Sequence, residues 1–202
     1  GTYRKVVRNE IRKALKNGVQ IEEGTGADLG LFFDLMSETC RRQQVRPNPG
    51  SVDILRKIWD IFGRDMLRLT FASVRGERIA GQLCLHFGKR ATIWKKGYNY
   101  RHNDFNPTKL LQSESIEWSC LHGFEEYDFM SLDKQLAHAI LSGNPIDSGS
   151  ISGRDMFTLG FGGKPLILPK SFLWFPNPVS RSAYRLFLQY APKRFQKNRD
   201  IG

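Results

Sequence analysis

Asp128 stands where a carboxylate can do chemistry. It lies in the short apolar run from Glu126 to Met130, and at a strand end such a group can orient an acceptor or take its proton. It can equally bond the backbone of a neighbouring loop, the commoner role for aspartate at such a place. Gly160, Phe161, Gly162 and Gly163 form a glycine-rich run, and glycines let backbone N–H groups approach a phosphate or the end of an acyl donor. A tight turn leading into a strand at Leu166 explains the same glycines. Trp94, Tyr98 and Tyr100 sit where aromatic edges line a ligand groove, and core packing accounts for Trp94 as well. Arg101 and His102 follow in a loop and can meet an anionic donor, as can Lys95 and Lys96, yet an exposed loop carries such residues without any function.

Other chemistries lack their signatures. There is no G-x-S-x-G, P-loop, H-E-x-x-H or dinucleotide fingerprint. His86, His102, His122 and His138 fall in separate elements without metal-ligand spacing, and Cys40, Cys84 and Cys120 form no C-x-x-C pair, so no metal is expected. Three scattered cysteines fit a reducing, cytoplasmic setting better than a disulfide framework. No stretch approaches the roughly 20 apolar residues that cross a bilayer. With 202 residues, 40% hydrophobic and 25% charged, the chain has the balance of one globular domain, 1–202. The net charge of +11 is concentrated near the ends, in Arg4 to Lys16 and Lys193 to Arg199. Such a field attracts polyanions, among them tRNA, phosphorylated cofactors, diphosphate-linked precursors and anionic lipid surfaces. Solvated helix faces that keep a protein soluble carry the same charge.

The elements that must position these residues follow from periodicity. Val7, Ile11, Ala14 and Leu15 recur at helical spacing, with Arg4, Arg8, Arg12 and Lys16 on another face, so 3–17 is a basic amphipathic helix ended by Asn17 and Gly18. A short strand over 19–22 precedes a helix over 28–44, and Ser51 caps a third helix that stops at Gly63. The period then falls to two over 66–74, 78–87 and 91–98, an antiparallel meander with turns at Arg75–Gly76 and Gly88–Lys89. A helix through Leu110 to Leu121, closed by Gly123, crosses over to a strand at 126–130. Residues 142–153 read as a mobile loop that can close over a site, 166–175 as another strand, and 179–190 as a last helix. The expected fold is mixed α/β, a central and mostly antiparallel sheet flanked by helices.

Several separated pieces occur together in the order found in FemAB-like proteins of the GNAT superfamily. They are the opening helix Arg8 to Val19, Arg78-Ile-Ala-Gly-Gln82, Trp94-Lys-Lys-Gly97, Asn106-Pro-Thr-Lys-Leu-Leu111, Ile116-Glu-Trp-Ser-Cys120 with Gly123, Tyr127-Asp-Phe129, and Phe157-Thr-Leu-Gly-Phe-Gly-Gly163. The chain resembles the second of two tandem GNAT-like domains, with 1–17 similar to the linking helix and 18–190 to the catalytic-type core. The resemblance implies a preceding N-terminal GNAT-like domain. It also implies an acyl- or aminoacyl-transferase that moves an acyl group from acyl-CoA or aminoacyl-tRNA to an amine or hydroxyl, without a metal, on a cell-envelope precursor such as that of peptidoglycan. In aminoacyl-transferring members the residue after the phenylalanine matching Phe157 is usually lysine, and its charge is thought to help transfer. Here it is Thr158, whose hydroxyl supplies no full charge, and Lys164 is the nearby substitute in sequence. The resemblance thus points to Asp128, Thr158 and Lys164 for catalysis, and to Trp94, Tyr98, Tyr100, Arg101, Phe157, Gly160, Gly162 and Gly163 for substrate. The competing reading is a catalytically reduced basic domain that binds tRNA-like nucleic acid.

Overall fold

The computed structural model describes residues 3–130, 132–168 and 173–190, and the chain divides into two compact units, 1–164 and 165–202. In the first, β1 (Gln20–Glu23), β2 (Leu67–Val74), β3 (Glu77–Phe87) and β4 (Arg90–Tyr98) lie in chain order and antiparallel. Positive φ at Arg75, Gly76 and Gly88 lets the chain reverse within two residues. β5 (Glu126–Asp128) joins β4 in parallel, which requires a crossover, and α4 (Pro107–Leu121) supplies it. The mixed α/β fold is therefore present as the residue periods imply.

Strand alternation sorts the core into two layers. Leu67, Leu69 and Phe71 of β2 turn to one face and pack with Phe32, Leu35 and Met36 of α2 (Leu29–Arg42) and Leu55 of α3 (Val52–Met66). Ala72 and Ala80 turn to the other face and meet Ala14 of α1 (Lys5–Lys16) with Leu110 and Leu111 of α4. Arg4, Arg8, Arg12 and Lys16 stay exposed while Val7 and Ala14 are buried, the two faces of an amphipathic helix.

α2 sits unusually deep on the sheet. Gly81 and Gly97 are direct cross-strand partners, and a Cβ at Gly97 would fall 2.2 Å from the Met36 backbone N, one at Gly81 2.8 Å from Phe32 Cδ2. Thr39 then ties the helix to the end of β4: its Oγ1 accepts the Tyr98 N–H at 2.9 Å and lies 3.3 Å from the Tyr98 carbonyl oxygen.

Three segments differ from expectation. The stretch before and within the expected loop contains α5 (Lys134–Leu141), capped by Asp133, and a short 3-10 turn at Ser148–Ser150. An unexpected helix, α6 (Gly153–Gly160), starts at the reciprocal Ser152–Asp155 cap, and the glycine run follows it with a turn at Phe161 and Gly162. The expected strand at 166–175 is not formed over 166–168 and 173–175, and 169–172 lie outside the described residues. Pro165, Pro169 and Pro176 remove N–H groups that a ladder needs. The second unit is described from α7 (Pro178–Tyr190), whose Tyr184 ring lies 5.2 Å from that of Phe175.

Among the described residues no helix is long and apolar enough to cross a membrane, and no group of three His, Cys, Asp or Glu side chains is placed to hold a metal.

His86 fixes the lower end of the sheet against α4. Its ring lies between Trp118 (4.9 Å) and Phe124 (4.8 Å), with Nε2 buried and unpartnered among the described residues. Burial, with Arg68 and His122 nearby, pushes its pKa down to about 4. The folded state thus keeps His86 neutral at pH values where the unfolded chain, with a histidine pKa of about 6.5, takes up a proton. Stability is complete above about 6.5 and is lost as pH falls towards about 4.

Two outcomes are expected. Gly97→Ala should lose about 2–3 kcal/mol or more in urea unfolding, because the clash is with backbone and no rotamer relieves it; an unchanged midpoint would refute the close approach. The fall in stability between about pH 6.5 and 4 should be shallower in His86→Phe than in the wild type, and parallel curves would exclude His86 as its source.

Candidate functional site

β4 and β5 pair over only three positions, Arg90 with Glu126, Ala91 with Tyr127 and Thr92 with Asp128. Past Thr92 the second edge of β4 has no strand beside it among the described residues, and a cleft of about 990 Å³ opens there. Its walls are the end of α2 with Thr39 and Cys40, the β4 edge with Trp94, Lys95 and Lys96, and the segment carrying α5 and the start of α6. Since Thr39 holds the edge at Tyr98, the open stretch is 93–97.

A β-bulge shapes that stretch. Leu83 pairs with Lys95 and Cys84 with Ile93, so Trp94 is an extra residue in β4. Lys96 comes opposite Gln82, whose amide reaches Tyr127 on the α4 side of the sheet. On that side Lys96 meets α6 and α4: its Nζ lies 3.9 Å from the Phe157 ring centroid, and Lys109 Nζ lies 4.4 Å from the same ring. Desolvation by the surrounding elements, then Lys109 and Arg154, push the Lys96 pKa down to about 8, although the residue as a whole keeps exposure to solvent.

The acidic side chains of the cleft are engaged in helix and turn capping. Asp133 accepts the Leu136 N–H at 2.9 Å, Asp147 the Gly149 N–H at 2.9 Å, and Asp155 the Ser152 hydroxyl at 2.7 Å. No histidine lines the cleft among the described residues. What the arrangement offers is an exposed strand edge, one indole and several cations, which suits holding an extended anionic ligand better than making a covalent intermediate.

Of the residues singled out in the sequence, Trp94 lines the cleft and Phe157 forms the contact just described. Tyr98 and Tyr100 instead stack on Arg42, at 4.4 and 4.7 Å, and Arg101 is exposed with its N–H on Asn99 Oδ1. Asp128 accepts the Met130 N–H at 2.7 Å, the loop-binding role, and does not line the cleft. Thr158 is half-buried in α6 and Lys164 is exposed; neither lines the cleft. The glycines serve packing and helix termination. A Cβ at Gly160 would lie 2.7 Å from Val7, Gly162 has φ +78°, and Gly163 lies near Phe129, while the N–H groups of Phe161 and Gly162 close α6 on Thr158 and Leu159. Lys109 and Arg154 were missed. Lys109 lay inside the Asn106 to Leu111 motif, but only the fold brings it to Phe157.

A second polar group looks catalytic by residue type. Tyr127 OH accepts from Gln112 Nε2 at 2.7 Å and donates to Ser115 Oγ at 3.1 Å, with Cys84 Sγ 3.2 Å from Ser115 Oγ. Burial pushes both the Cys84 thiol and the Tyr127 phenol above their ordinary values, so neither ionises, and the cluster serves to bind α4 to β3 and β5.

The acetyltransferase (GNAT) domain family matches residues 1–135. Among solved structures the chain is similar to FemX, with a TM-score of 0.67 at 15% identity over 80% of this chain and 54% of that one, so it spans about half of FemX's length. It is also similar, at a TM-score of 0.46 and 16% identity over 64% of this chain and 87% of that one, to an aminoglycoside acetyltransferase from an uncultured soil metagenomic sample. A predicted acetyltransferase with acetyl-CoA from Clostridium acetobutylicum gives 0.48 at 8% identity over 66% and 94%. No curated protein matches in sequence. With two thirds of its length matched, including the whole sheet and the start of the cleft, the chain belongs to the GNAT acetyltransferase family.

Proposed function

We propose that the cleft beside β4 carries acyl transfer from an acyl-CoA or aminoacyl-tRNA donor to an amine or hydroxyl acceptor. The observation that supports it most is the divergence of β4 from β5 after Thr92, which leaves a strand edge exposed along a cleft in a chain of this family. An extended donor arm can pair with such an edge as an added strand would, presenting its carbonyl at a fixed position. The acceptor's lone pair then attacks that carbonyl, the C–N or C–O bond forms as the C–S or ester C–O bond breaks, and the leaving group takes the acceptor's proton directly or through water.

Direct attack is favoured over an acyl-enzyme. Cys40 is the thiol at the cleft, and none of the histidines lies there to activate it. The likeness to FemX supports a cell-envelope precursor as acceptor, and Thr158 in place of lysine supports acyl-CoA over aminoacyl-tRNA as donor. The chain would act together with a preceding GNAT-like domain, and its exposed basic helix α1 faces anionic surfaces such as RNA or membrane.

Cys40 gives a direct test. In the folded protein exposed Cys120 should alkylate fast and buried Cys84 only on unfolding. Acetyl-CoA at ten times its Kd should slow Cys40 about tenfold by mass action, without affecting Cys120. Cys40 reactivity indifferent to acyl-CoA and to charged tRNA at physiological salt would sink the donor assignment. Protection by tRNA alone, lost steeply as salt rises, would favour the nucleic-acid reading.

A further inference from the structure

Two cations lie over one apolar ring, and a third stands in the same helix as that ring. Lys96 from β4 and Lys109 from the first turn of α4 lie over Phe157 of α6, and Arg154, one turn before Phe157, is close enough to depress Lys96. Two of the three have carboxylates: Lys109 Nζ is 3.5 Å from Glu10 of α1, and Arg154 is 3.4 Å from Asp155. Lys96 forms no ion pair among the described residues and lines the cleft, while Phe157 and Lys109 stand behind it, outside the lining. Like charges gathered beside a ring, with one left uncompensated, are a costly arrangement for a structural role. They are what a site needs when the missing charge arrives with the ligand.

We infer that Lys96, backed by Lys109 and Arg154 around Phe157, is a subsite for a phosphate group of the ligand held in the cleft. The demand exceeds one carboxylate, since Arg46 and Lys95 line the same cleft while Asp133, Asp147 and Asp155 are turned to capping. The inference deepens the acyl-transfer reading by assigning part of the donor's binding, and its geometry stands apart from whether transfer occurs. The other charged groups near Lys96 are Lys109 with Glu10, Arg154 with Asp155, neighbouring Lys95, and Arg46, Asp133 and Asp147 across the cleft. A phosphate adds an opposite charge and raises the Lys96 pKa from about 8, so binding takes up a proton and weakens as pH rises above about 8.

The test uses the whole chain and inorganic pyrophosphate, titrated calorimetrically at constant physiological ionic strength. Lys96→Met should weaken binding about tenfold or more, the scale of a lost charge-assisted hydrogen bond. Lys57→Met, an exposed site on α3, should not change it. Lys96→Arg should retain binding and stay ahead of the wild type increasingly from pH 7 to 9, because arginine does not titrate there and the ionisation of pyrophosphate affects both proteins alike. No pyrophosphate binding, equal binding by Lys96→Met, or a wild-type to Lys96→Arg ratio constant across that range would each overturn the subsite. Coenzyme A and the trinucleotide CCA form two further arms. The one whose affinity depends on Lys96 identifies the phosphate source, and dependence in neither also overturns the assignment. Release of free coenzyme A thiol in the presence of amine acceptors is read separately, so failed transfer with intact Lys96-dependent pyrophosphate binding would remove the acyltransferase reading alone.

Discussion

The seating of α2 on Gly81 and Gly97 is the contact on which the cleft depends. Helices normally stand off a sheet by the length of side chains, but here backbone meets backbone at Met36 and Gly97, which brings Thr39 within reach of Tyr98. Two consequences follow from one approach. The exposed edge of β4 is ended at Tyr98 by a side-chain hydroxyl instead of another strand, and the C-terminal turn of α2 becomes a wall running beside the edge upstream. The cleft is therefore bounded by rigid elements on the α2 and β4 sides, and the shorter helices α5 and α6 complete it.

The two polar centres of the molecule show how burial decides what residue types can do. Cys84, Tyr127 and Ser115 are the residues from which nucleophile and acid are commonly built, yet they are enclosed between sheet and α4 and bonded to one another, so their protons are held. Lys96 and its neighbours are poorer in classical functional groups, but they border open space and carry charge without full compensation. Interior polarity serves cohesion here, whereas charge at the rim is left available to solvent and to whatever enters the cleft.

Long regular periods made the sheet and the α1 to α4 helices legible in the sequence, because each face of those elements is either buried or solvated over several turns. α5 was not read, since eight residues give two turns and no sustained pattern. α6 was hidden by Gly160, Gly162 and Gly163, whose absence of side chains reflects the approach of Val7, the end of the helix and the nearness of Phe129. The same limit governs the site. Trp94 and Phe157 could be named because they belong to recognisable runs, whereas the meeting of Lys96, Lys109 and Arg154 joins three elements 13 and 45 residues apart along the chain. The lysine missing at Thr158 was sought at Lys164 by proximity in sequence, while the fold supplies cations to Phe157 from β4 and α4.

The bulge at Trp94 gives β4 two phases. Counted forward from Arg90, alternation follows the ladders to β3 and β5 and sends Ala91 and Ile93 into the core. Counted backward from Tyr98, it follows the α2 seat and sends Lys96 to the α4 side. One surplus residue absorbs the mismatch, so the strand behaves as two half-strands joined by a phase slip. The half that lines the cleft can then be relettered without disturbing the inside–outside alternation of the half that holds the sheet together, which separates change in the cleft wall from change in folding.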